Sequence, residues 1–308
     1  NAPTVPTGVS TSNATTSAID VNWNASTDIG KDYNYTVTAF DDFGNPSDPT
    51  GLSSLNGYWR FEEGSGTNAA DTSGNGYNLT LTNFGCTTLD CNALSGWTSN
   101  SKVGNAILFD GGDNWLVSSN YLVQPSNGKT VCAWVKPDSC TNYVGVFART
   151  SDFTFRHNTS CQYEDRSYSG GSTSANYTLS STPLSIGSWN FICSAQAGGT
   201  DTNITVKYYF NGSLDKTTVT NLKGLVGYSS SMPTYIGTDS YFGANRRFDG
   251  KIDEVMAFSK ELSQNEITAL YNKGSPASAK ITSGLKASPY WLQDLNTSTT
   301  YGPYASSP

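Results

Sequence analysis

Short segments in which apolar and polar residues alternate recur along this chain and most constrain what it can fold into. The first are AIDVNW at 18–23 and NYTVTAF at 34–40, and later come NAILFDG, TVCAWVKP, SWNFICSA, TVKYYFNGSL and GKIDEVMAF. A period of two residues is typical of strands with one buried face. The pattern predicts an all-β protein in which two antiparallel sheets pack face to face.

Two local signals add a hairpin and a helix. The Asn-Gly pair at 211–212 predicts a tight hairpin turn, because both residue types tolerate positive φ. The segment SQNE at 263–266 has the form of a capping box, and Gly274 is a residue type that often ends a helix. The apolar residues of this segment fall on one helical face: Leu262, Ile267, Leu270 and Tyr271. We expect one short C-terminal helix packed on the edge of the sandwich.

The charge of the chain excludes one class of partner. Only 14% of the 308 residues are charged, and the 18 Lys and Arg residues are thinly spread in a chain of net charge -7. No basic stripe is present for phosphate contacts, so we exclude nucleic-acid binding. No run of 18 apolar residues occurs, so we expect no membrane span. Since the chain begins with Asn1, we expect that a targeting segment was removed upstream or that the sequence is a piece of a longer chain.

Six cysteines form an even set without zinc-type CxxC pairs, which predicts disulfides. Fifteen connectivities are possible. One set pairs Cys86 with Cys91 across a short loop, Cys132 with Cys193 because both share a strand face with aromatic residues, and Cys140 with Cys161. The alternative pairs Cys132 with Cys140 and Cys161 with Cys193, and the sequence leaves both open.

Glycosylation acceptors of the form Asn-X-Ser/Thr are frequent in this chain. Together with the disulfides and the low charge, they predict a secreted glycoprotein that is extracellular or bound to the cell surface. The acceptor residues are Asn13, Asn24, Asn34, Asn78, Asn158, Asn176, Asn203, Asn211 and Asn296.

Residues 57–274 resemble the laminin G-like, concanavalin A-like jelly-roll family over the whole length of such a domain. The resemblance rests on ordered motifs: GYWRFEEGSGTNAADTSGNGYNLTL, GNAILFDGGDNWLV, TVCAWVKP, GSWNFICSAQ, YYFNGSL, YIGTD and GKIDEVMAFSKELSQNEITALYNKG. It implies a two-sheet jelly roll. Strand alternation then predicts that four aromatic side chains pack between the sheets: Phe109, Trp134, Trp189 and Phe191.

Calcium is common in this family, so the resemblance implies oxygen ligands at its loops and strand ends. Two clusters qualify, and in both Gly neighbours leave the backbone free to turn. The first contains Asp71, Ser73 and Asn75 with Asp253; the second contains Asp110, Asp113 and Asn114. These residues also build ordinary turns without a metal, and that alternative stays open.

Glycan binding is the commonest role of the family, and the resemblance implies that exposed aromatic residues stack on sugars. The candidates are Trp115, Tyr143, Tyr168, Tyr177 and Tyr241. Ordinary surface packing is the alternative for each of them, because aromatic residues are frequent throughout the chain.

Catalysis is not expected. Glycosidases of this fold place carboxylates on one face of a strand, whereas Glu62 and Glu63 are adjacent and the carboxylates of YEDRS at 163–167 are adjacent as well. The single histidine, His157, lacks a nearby Ser or Cys constellation, and we expect it to be a lone surface residue.

The two ends of the chain are each similar to parts of a fibronectin type III domain. Residues 1–52 resemble its first two and last two strands, and residues 277–308 resemble the stretch before the last two strands. A sandwich of this type needs roughly 90 to 100 residues, so residues 1–52 form an incomplete immunoglobulin-like sandwich. We expect three regions, namely 1–52, the jelly roll at 57–274, and a linker with a C-terminal strand at 275–308.

The C-terminal strand suggests an assembly hypothesis. If it completes the sandwich of a neighbouring copy, the contact runs head to tail and builds a filament. The assembly strand would bury Tyr290, Trp291, Leu292, Leu295 and Tyr301. The sequence also allows pairing within one chain, or a tail that begins a second repeat. Two functions compete: a pilus-like filament subunit whose partners are copies of itself and which displays an adhesive jelly roll, and a glycan-binding module of a larger extracellular protein.

Overall fold

The computed structural model describes the following parts of the chain: residues 7–12, 20–24, 54–91, 95–118, 128–140, 143–149, 153–168, 175–197, 204–220, 233–239 and 246–273. The chain divides into two compact units, one formed by Asn1–Ser47 with Ser275–Pro308 and the other by Asp48–Gly274. In the first unit, strands β1 (Thr7–Ser12) and β2 (Asp20–Asn24) pair antiparallel. The predicted strand at 34–40 and the assembly strand at 290–301 lie outside the described residues, so strand complementation stays a prediction.

The second unit is built almost wholly from strands. Its described strands are β3 Leu55–Trp59, β4 Asn68–Ala69, β5 Leu79–Thr82, β6 Gly96–Thr98, β7 Ala106–Asp110, β8 Trp115–Ser118, β9 Gly128–Pro137, β10 Val144–Arg149, β11 Phe153–His157, β12 Gln162–Tyr168, β13 Ala175–Pro183, β14 Asn190–Ala197, β15 Ile204–Phe210, β16 Ser213–Thr220, β17 Thr234–Ile236 and β18 Asp249–Phe258. Its described helix is α1, Gln264–Lys273. None of the helices among the described residues is long and apolar enough to cross a membrane.

These strands form two antiparallel sheets. The front sheet has the order β13-β12-β11-β10-β17-β8-β5-β4, and the back sheet has the order β16-β15-β14-β9-β18-β7-β6, with β3 also paired to β18. Half of the neighbouring pairs join strands that are not consecutive in the chain, such as β9 with β14 and β10 with β17, as in a jelly roll. The all-β, two-sheet fold predicted from the alternation is confirmed.

An apolar core lies between the two sheets. It includes Phe155 and Tyr163 from the front sheet, Val131 and Ile192 from the back sheet, and the predicted core residue Phe109. Each of these five side chains is at most 3% exposed. Burial of such side chains supplies about 1.5 to 3 kcal/mol each, which is the main driving force for packing the sheets together.

The two local predictions are confirmed. Asn211 and Gly212 have φ values of 48° and 80° and connect β15 to β16. Ser263 and Glu266 form the capping box, since the backbone N–H of Ser263 donates to Glu266 Oε2 at 2.7 Å and that of Glu266 donates to Ser263 Oγ at 3.4 Å. Gly274 lies outside the described residues.

The prediction that Trp134 and Phe191 lie between the sheets is wrong. Val131, Ala133 and Val135 face the core, so the alternating residues of β9, including Trp134, face the other side of the back sheet. There, the ring centroids of Trp134 and Phe191 lie 5.5 and 6.0 Å from that of Tyr271 in α1. The helix is a second apolar layer, which is why these aromatics are buried although they point away from the main core. Trp189 precedes β14 and is half-buried.

Three disulfides join the cysteines: Cys86 with Cys91, Cys132 with Cys193, and Cys140 with Cys161. The structure therefore has the first of the two sets that the sequence left open. Cys132 and Cys193 lie directly opposite each other in the β9–β14 pairing and are fully buried. They share the face of the back sheet that helix α1 covers.

A buried ion pair lies at one end of the space between the sheets. Asp165 Oδ2 accepts hydrogen bonds from Ser194 Oγ at 2.6 Å and Gln196 Nε2 at 2.8 Å. The Nζ of Lys129 is 3.7 Å from Asp165 Oδ1, and both side chains are almost fully buried. Hydrogen bonds and the ion pair together compensate the cost of removing these charges from water.

Candidate functional site

The outer face of the front sheet carries aromatic and arginine side chains. Leu116 and Phe155 point into the core, so Trp115 on β8 and Arg156 on β11 point to the opposite face. Tyr143 directly precedes β10 on the same side of the sheet as Arg156. We call this group the front-face cluster, and its members are Trp115, Tyr143, Arg156, Glu164, Asp239, Arg246 and Arg247.

One pair in the cluster joins Trp115 to Arg247. The guanidinium carbon of Arg247 lies 4.3 Å from the centroid of the Trp115 ring. Its Nη1 also donates to Thr238 Oγ1 at 2.5 Å, and Thr238 and Arg247 form a β-bridge. Burial lowers the pKa of Arg247, and the negative charges of Asp239 and Asp113 oppose that shift. The guanidinium is therefore fixed in one orientation over the indole ring.

A second pair joins Tyr143 to Arg156. The guanidinium carbon of Arg156 is 4.6 Å from the centroid of the Tyr143 ring, and the Tyr143 side chain is 44% exposed. The Nε and Nη2 atoms of Arg156 each lie 2.5 Å from Glu164 Oε1. Because Arg156 is held from below by a carboxylate, the Tyr143 ring is supported on one side by a rigid group. An exposed, supported aromatic ring is suited to stacking on a flat apolar surface.

Asp239 joins Arg246 to the Tyr143–Arg156 pair. Its Oδ2 lies 2.6 Å from Arg246 Nη1 and 3.5 Å from Arg156 Nη1. The Asp239 side chain is 1% exposed and the Arg246 side chain is 33% exposed. The cluster thus places buried carboxylates beneath a rim of guanidinium and aromatic groups.

Burial also affects the second carboxylate of the cluster. The pKa of Glu164 is raised chiefly by burial, and the positive charge of Arg156 opposes this shift. Glu164 and Asp165 are adjacent on β12 and point to opposite faces, toward the cluster and toward the core respectively. This agrees with the expectation that the carboxylates of this strand do not share a face.

A match to a sequence profile identifies the family of the chain. The sequence profile of the laminin G type described as the concanavalin A-like lectin/glucanases superfamily matches residues 110–268, which is just over half of the chain. The chain belongs to the concanavalin A-like lectin/glucanase superfamily. A search of the curated proteins finds no match.

Solved structures with the concanavalin A-like fold resemble this chain. Domain 4 of AbnA, an extracellular arabinanase of Geobacillus stearothermophilus solved with arabinotriose, aligns with a TM-score of 0.52 and 19% identity over 71% of this chain and 98% of that one. A structure of botulinum neurotoxin type C, whose cell entry depends on gangliosides, aligns with a TM-score of 0.52 and 15% identity. The alignment covers 79% of this chain and 55% of that one. The binding domain of Paraclostridial Mosquitocidal Protein 1 aligns with a TM-score of 0.54 and 13% sequence identity, over 78% of this chain and 58% of that one. At these identities the likeness establishes the fold.

The residues of the first predicted calcium cluster build a turn in this concanavalin A-like domain, and calcium there stays a prediction. Asp71 Oδ1 accepts the backbone N–H groups of Tyr58 and Ser73, and its Oδ2 accepts that of Tyr77, all at 2.9 Å. Asn75 Nδ2 donates to Ser73 Oγ and to the backbone carbonyls of Leu55 and Asn56, and therefore holds the same turn. These contacts are those of a turn, which was the alternative reading.

Asp253 serves a different loop from Asp71. Its Oδ2 accepts the backbone N–H groups of Lys102 and Val103 at 2.9 Å. Burial raises the pKa of Asp253 well above its ordinary value, and the neighbouring Glu254 raises it further. No group of three or more His, Cys, Asp or Glu residues within the described ranges has a metal-binding arrangement.

The second predicted cluster fits a cation better. Asp110 Oδ1 accepts from the backbone N–H of Gly112 at 2.7 Å and from Asn114 Nδ2 at 2.5 Å. Asn114 is fully buried, and its Oδ1 has no hydrogen-bond partner among the residues that the structure describes. Asp113 is exposed and its Oδ2 lies 3.4 Å from Asn83 Nδ2. Calcium at this turn stays a prediction.

His157 is buried, so the prediction of a surface histidine is wrong. The side chain is fully buried, its Nδ1 is 3.3 Å from the carbonyl oxygen of Asn158, and its ring packs edge-on against Phe248. Burial lowers the pKa of His157 to about 4. The sequence prediction failed because His157 ends a strand whose inward positions are otherwise aromatic.

The remaining predicted residues are placed only in part. Tyr168 and Tyr177 lie in β12 and β13, but their side chains and Tyr241 are outside the described residues. Of the predicted acceptor asparagines, Asn78 is exposed, whereas Asn158 and Asn211 accept backbone N–H groups of Gln162 and Phe191 at 3.0 and 2.9 Å. The side chains of the other acceptors are not described: Asn13, Asn24, Asn34, Asn176, Asn203 and Asn296. Glycosylation stays a prediction.

The sequence prediction missed most of the front-face cluster. It named Trp115 and Tyr143 but none of the charged members. Arg156 follows Phe155 directly in a strand, so its side chain must point to the opposite face. This alternation was the one signal that could have placed Arg156 on the outer face. Asp239 and Arg247 lie beyond regular strands, and only the folded chain brings them beside residues more than 80 positions earlier.

Proposed function

We propose that this chain is an extracellular, non-enzymatic glycan-binding module that binds its ligand at the front-face cluster. The observation that carries the proposal is the exposed ring of Tyr143 stacked on the fixed guanidinium of Arg156. Aromatic faces bind the apolar C–H face of a sugar ring, while neighbouring polar groups bind its hydroxyls. Proteins of the same fold support the proposal, since one was solved with arabinotriose and another depends on gangliosides for cell entry.

The disulfides support the extracellular location. Such bonds persist in oxidising compartments and are rare in the cytosol. The cross-strand bond of Cys132 and Cys193 and the loop bond of Cys140 and Cys161 both lie within the jelly roll. Secretion is thus part of the proposal.

A glycan array tests the proposal. The protein is compared with Tyr143→Ala, which removes the exposed ring, and with Ile186→Ala, which removes an apolar side chain that is 55% exposed and lies outside the cluster. We expect Tyr143→Ala to weaken binding about tenfold, the scale of an aromatic contact. Ile186→Ala should bind as the original chain does. Binding that is equal in all three proteins would place the site elsewhere.

The same array tests calcium when it is repeated with a chelator. Carboxylate and amide oxygens at Asp110, Asp113 and Asn114 are the ligand type that calcium prefers. We expect chelation to reduce binding and added calcium to restore it if the ion organises this turn, which adjoins Trp115. Binding that is indifferent to chelator would contradict calcium at this turn and leave the glycan proposal intact.

We also propose a second role, head-to-tail assembly into filaments, which requires the two ends to pair between copies rather than within one chain. Residues Asn1–Ser47 and Ser275–Pro308 belong to one unit, which favours the idea that the two ends complete a single sandwich. The same pairing between neighbouring copies would build a filament. Electron microscopy of the full chain and of a chain that lacks residues 280–308 tests this role. Filaments that depend on the tail would support it, and separate particles of one size at every concentration would contradict it.

A further inference from the structure

We propose that the front-face cluster selects uncharged glycans over glycans that carry carboxylate or sulfate groups. This inference rests on the proposed function and names the ligand class of the same site. The cluster contains three arginines, but each is already engaged by groups of the protein itself, and the inference follows from these contacts.

Arg156 and Arg246 are neutralised within the protein. Arg156 donates through Nε and Nη2 to Glu164 Oε1 at 2.5 Å, and its Nη1 lies 3.5 Å from Asp239 Oδ2. Arg246 Nη1 donates to the same oxygen of Asp239 at 2.6 Å. Two carboxylates thus face two guanidiniums, so this half of the cluster carries no net charge for an acidic ligand to bind.

Arg247 is engaged as well. Its Nη1 donates to Thr238 Oγ1 and its flat face lies over Trp115. The carboxylates of Asp239 and Asp113 both interact electrostatically with it. In the absence of calcium, an anionic group that approaches Arg247 therefore meets the exposed negative charge of Asp113 at the same time.

An acidic sugar could reach the guanidinium atoms of Arg156 only by displacing Glu164 or Asp239, which already contact its Nε, Nη1 and Nη2. Both side chains are about 99% buried, so the displaced carboxylate would lose its partner without gaining water. Leaving a buried charge unpaired is strongly unfavourable, and this cost acts against acidic ligands alone. A neutral sugar needs no such exchange, because it can stack on Tyr143 and bond through hydroxyl groups.

The charge of the whole chain acts in the same direction. With a net charge of -7, the protein repels anionic glycans at long range, and this repulsion weakens as salt is added. Binding of an uncharged glycan should depend little on salt concentration.

Matched pairs of glycans on an array test the inference. Each pair shares one core: lactose with 3′-sialyllactose, xylohexaose with its glucuronic acid-substituted form, and chondroitin with chondroitin sulfate as a polymeric pair of lower and higher charge. We expect each bound neutral or less charged member to bind at least about fivefold more tightly than its acidic counterpart, the scale of an ion-pair difference.

The variant Asp239→Asn tests the mechanism. It removes the carboxylate that Arg156 and Arg246 share, while Arg156 keeps its contact with Glu164. We expect acidic glycans to gain about fivefold or more in binding relative to neutral ones. Asp113→Asn removes an exposed carboxylate near Arg247 and, assayed without calcium because Asp113 is also a predicted calcium ligand, should shift the preference in the same direction even if Asp239→Asn does not fold. Asp138→Asn is the matched control, because it removes the same charge at a 45% exposed site beside Lys251.

The outcomes separate this inference from the proposed function. Acidic members that bind as tightly as neutral ones, in a manner lost in Tyr143→Ala, would overturn the inference while the glycan-binding proposal stands. A preference that Asp138→Asn changes as much as Asp239→Asn and Asp113→Asn would overturn the local mechanism. No binding to any glycan in all conditions would contradict the proposed function and with it the inference.

Discussion

The indole of Trp134 in strand β9 stacks on the ring of Tyr271 in helix α1, with ring centroids 5.5 Å apart and planes 27° from parallel. Phe191 of β14 lies 5.2 Å from the same indole. The back sheet therefore has two apolar faces, one toward the front sheet and one beneath the helix. Attachment of the helix depends on this second layer, since a ten-residue helix is not stable alone in water.

Removal of the Tyr271 ring should detach the helix. We expect Tyr271→Ala to lower the free energy of unfolding by about 2 to 3 kcal/mol, because a large partly buried aromatic contact is lost. Asn265 in the same helix is exposed, so Asn265→Ala should change the free energy of unfolding by less than about 0.5 kcal/mol. Urea unfolding of both variants checks this, and equal midpoints would contradict the role of the layer.

The buried carboxylate of Asp165 should be among the most sensitive positions of the interior. In Asp165→Asn the Lys129 charge loses its compensating charge, and we expect a loss of about 3 kcal/mol or more. The double variant Asp165→Asn with Lys129→Met should recover part of that loss. Asp138→Asn breaks an ion pair that is half in solvent and should cost at most about 1 kcal/mol. Chemical unfolding of the three variants measures the difference.

His157 should make stability depend on pH. Its pKa is lowered by burial to about 4 in the folded chain, below the ordinary value of 6.5. Between these values the unfolded chain binds more protons, so stability is fully present above pH 6.5 and is lost as the pH falls toward 4. The full contribution is about 3 kcal/mol. The raised pKa values of Asp253 and Glu164 act in the opposite direction, because their protonated forms are favoured in the fold.

A non-titrating variant isolates this histidine. We expect the difference in unfolding free energy between the original chain and His157→Phe to change with pH between 6.5 and 4. Each protein is compared with its own value at pH 7.5, so the substitution's effect on packing cancels. A difference that stays constant over this range would show that His157 is charged in the fold.

The disulfides should contribute unequally to stability. The bond of Cys132 and Cys193 spans 61 residues, whereas that of Cys86 and Cys91 spans 5. Because a longer loop restricts the unfolded chain more, double alanine variants should lose about 4 and about 2 kcal/mol respectively. Thermal unfolding at one pH compares them. A larger loss for the short loop would contradict the ranking.

The sequence predicted the parts of the fold that depend on local chemistry. Strand periods, the turn at Asn211 and Gly212, and the capping box of Ser263 and Glu266 depend on residues close in the chain, and all are confirmed. Resemblance to a jelly-roll family added the global architecture, which the family profile confirms.

The candidate site could be predicted only in part, since it depends on contacts distant in sequence. Trp115, which is half-buried, and the exposed Tyr143 were named from the sequence, but nothing in it showed that Arg247 and Arg156 would lie against them. Nor could alternation alone show which face of β9 is the inner one, because Trp134 is apolar and both faces of that strand are buried.

The sequence by itself determined that this chain forms alternating strands, a capped helix and an even set of bonded cysteines, because these properties depend on residue type and short spacing. Only the tertiary structure decided which cysteines pair, which layer Trp134 joins, that His157 is buried, and that Asp239 binds two arginines. Those outcomes depend on which strands become neighbours. Among the described strands of this jelly roll, half of the neighbouring pairs join strands that are not consecutive in the chain, such as β9 with β18.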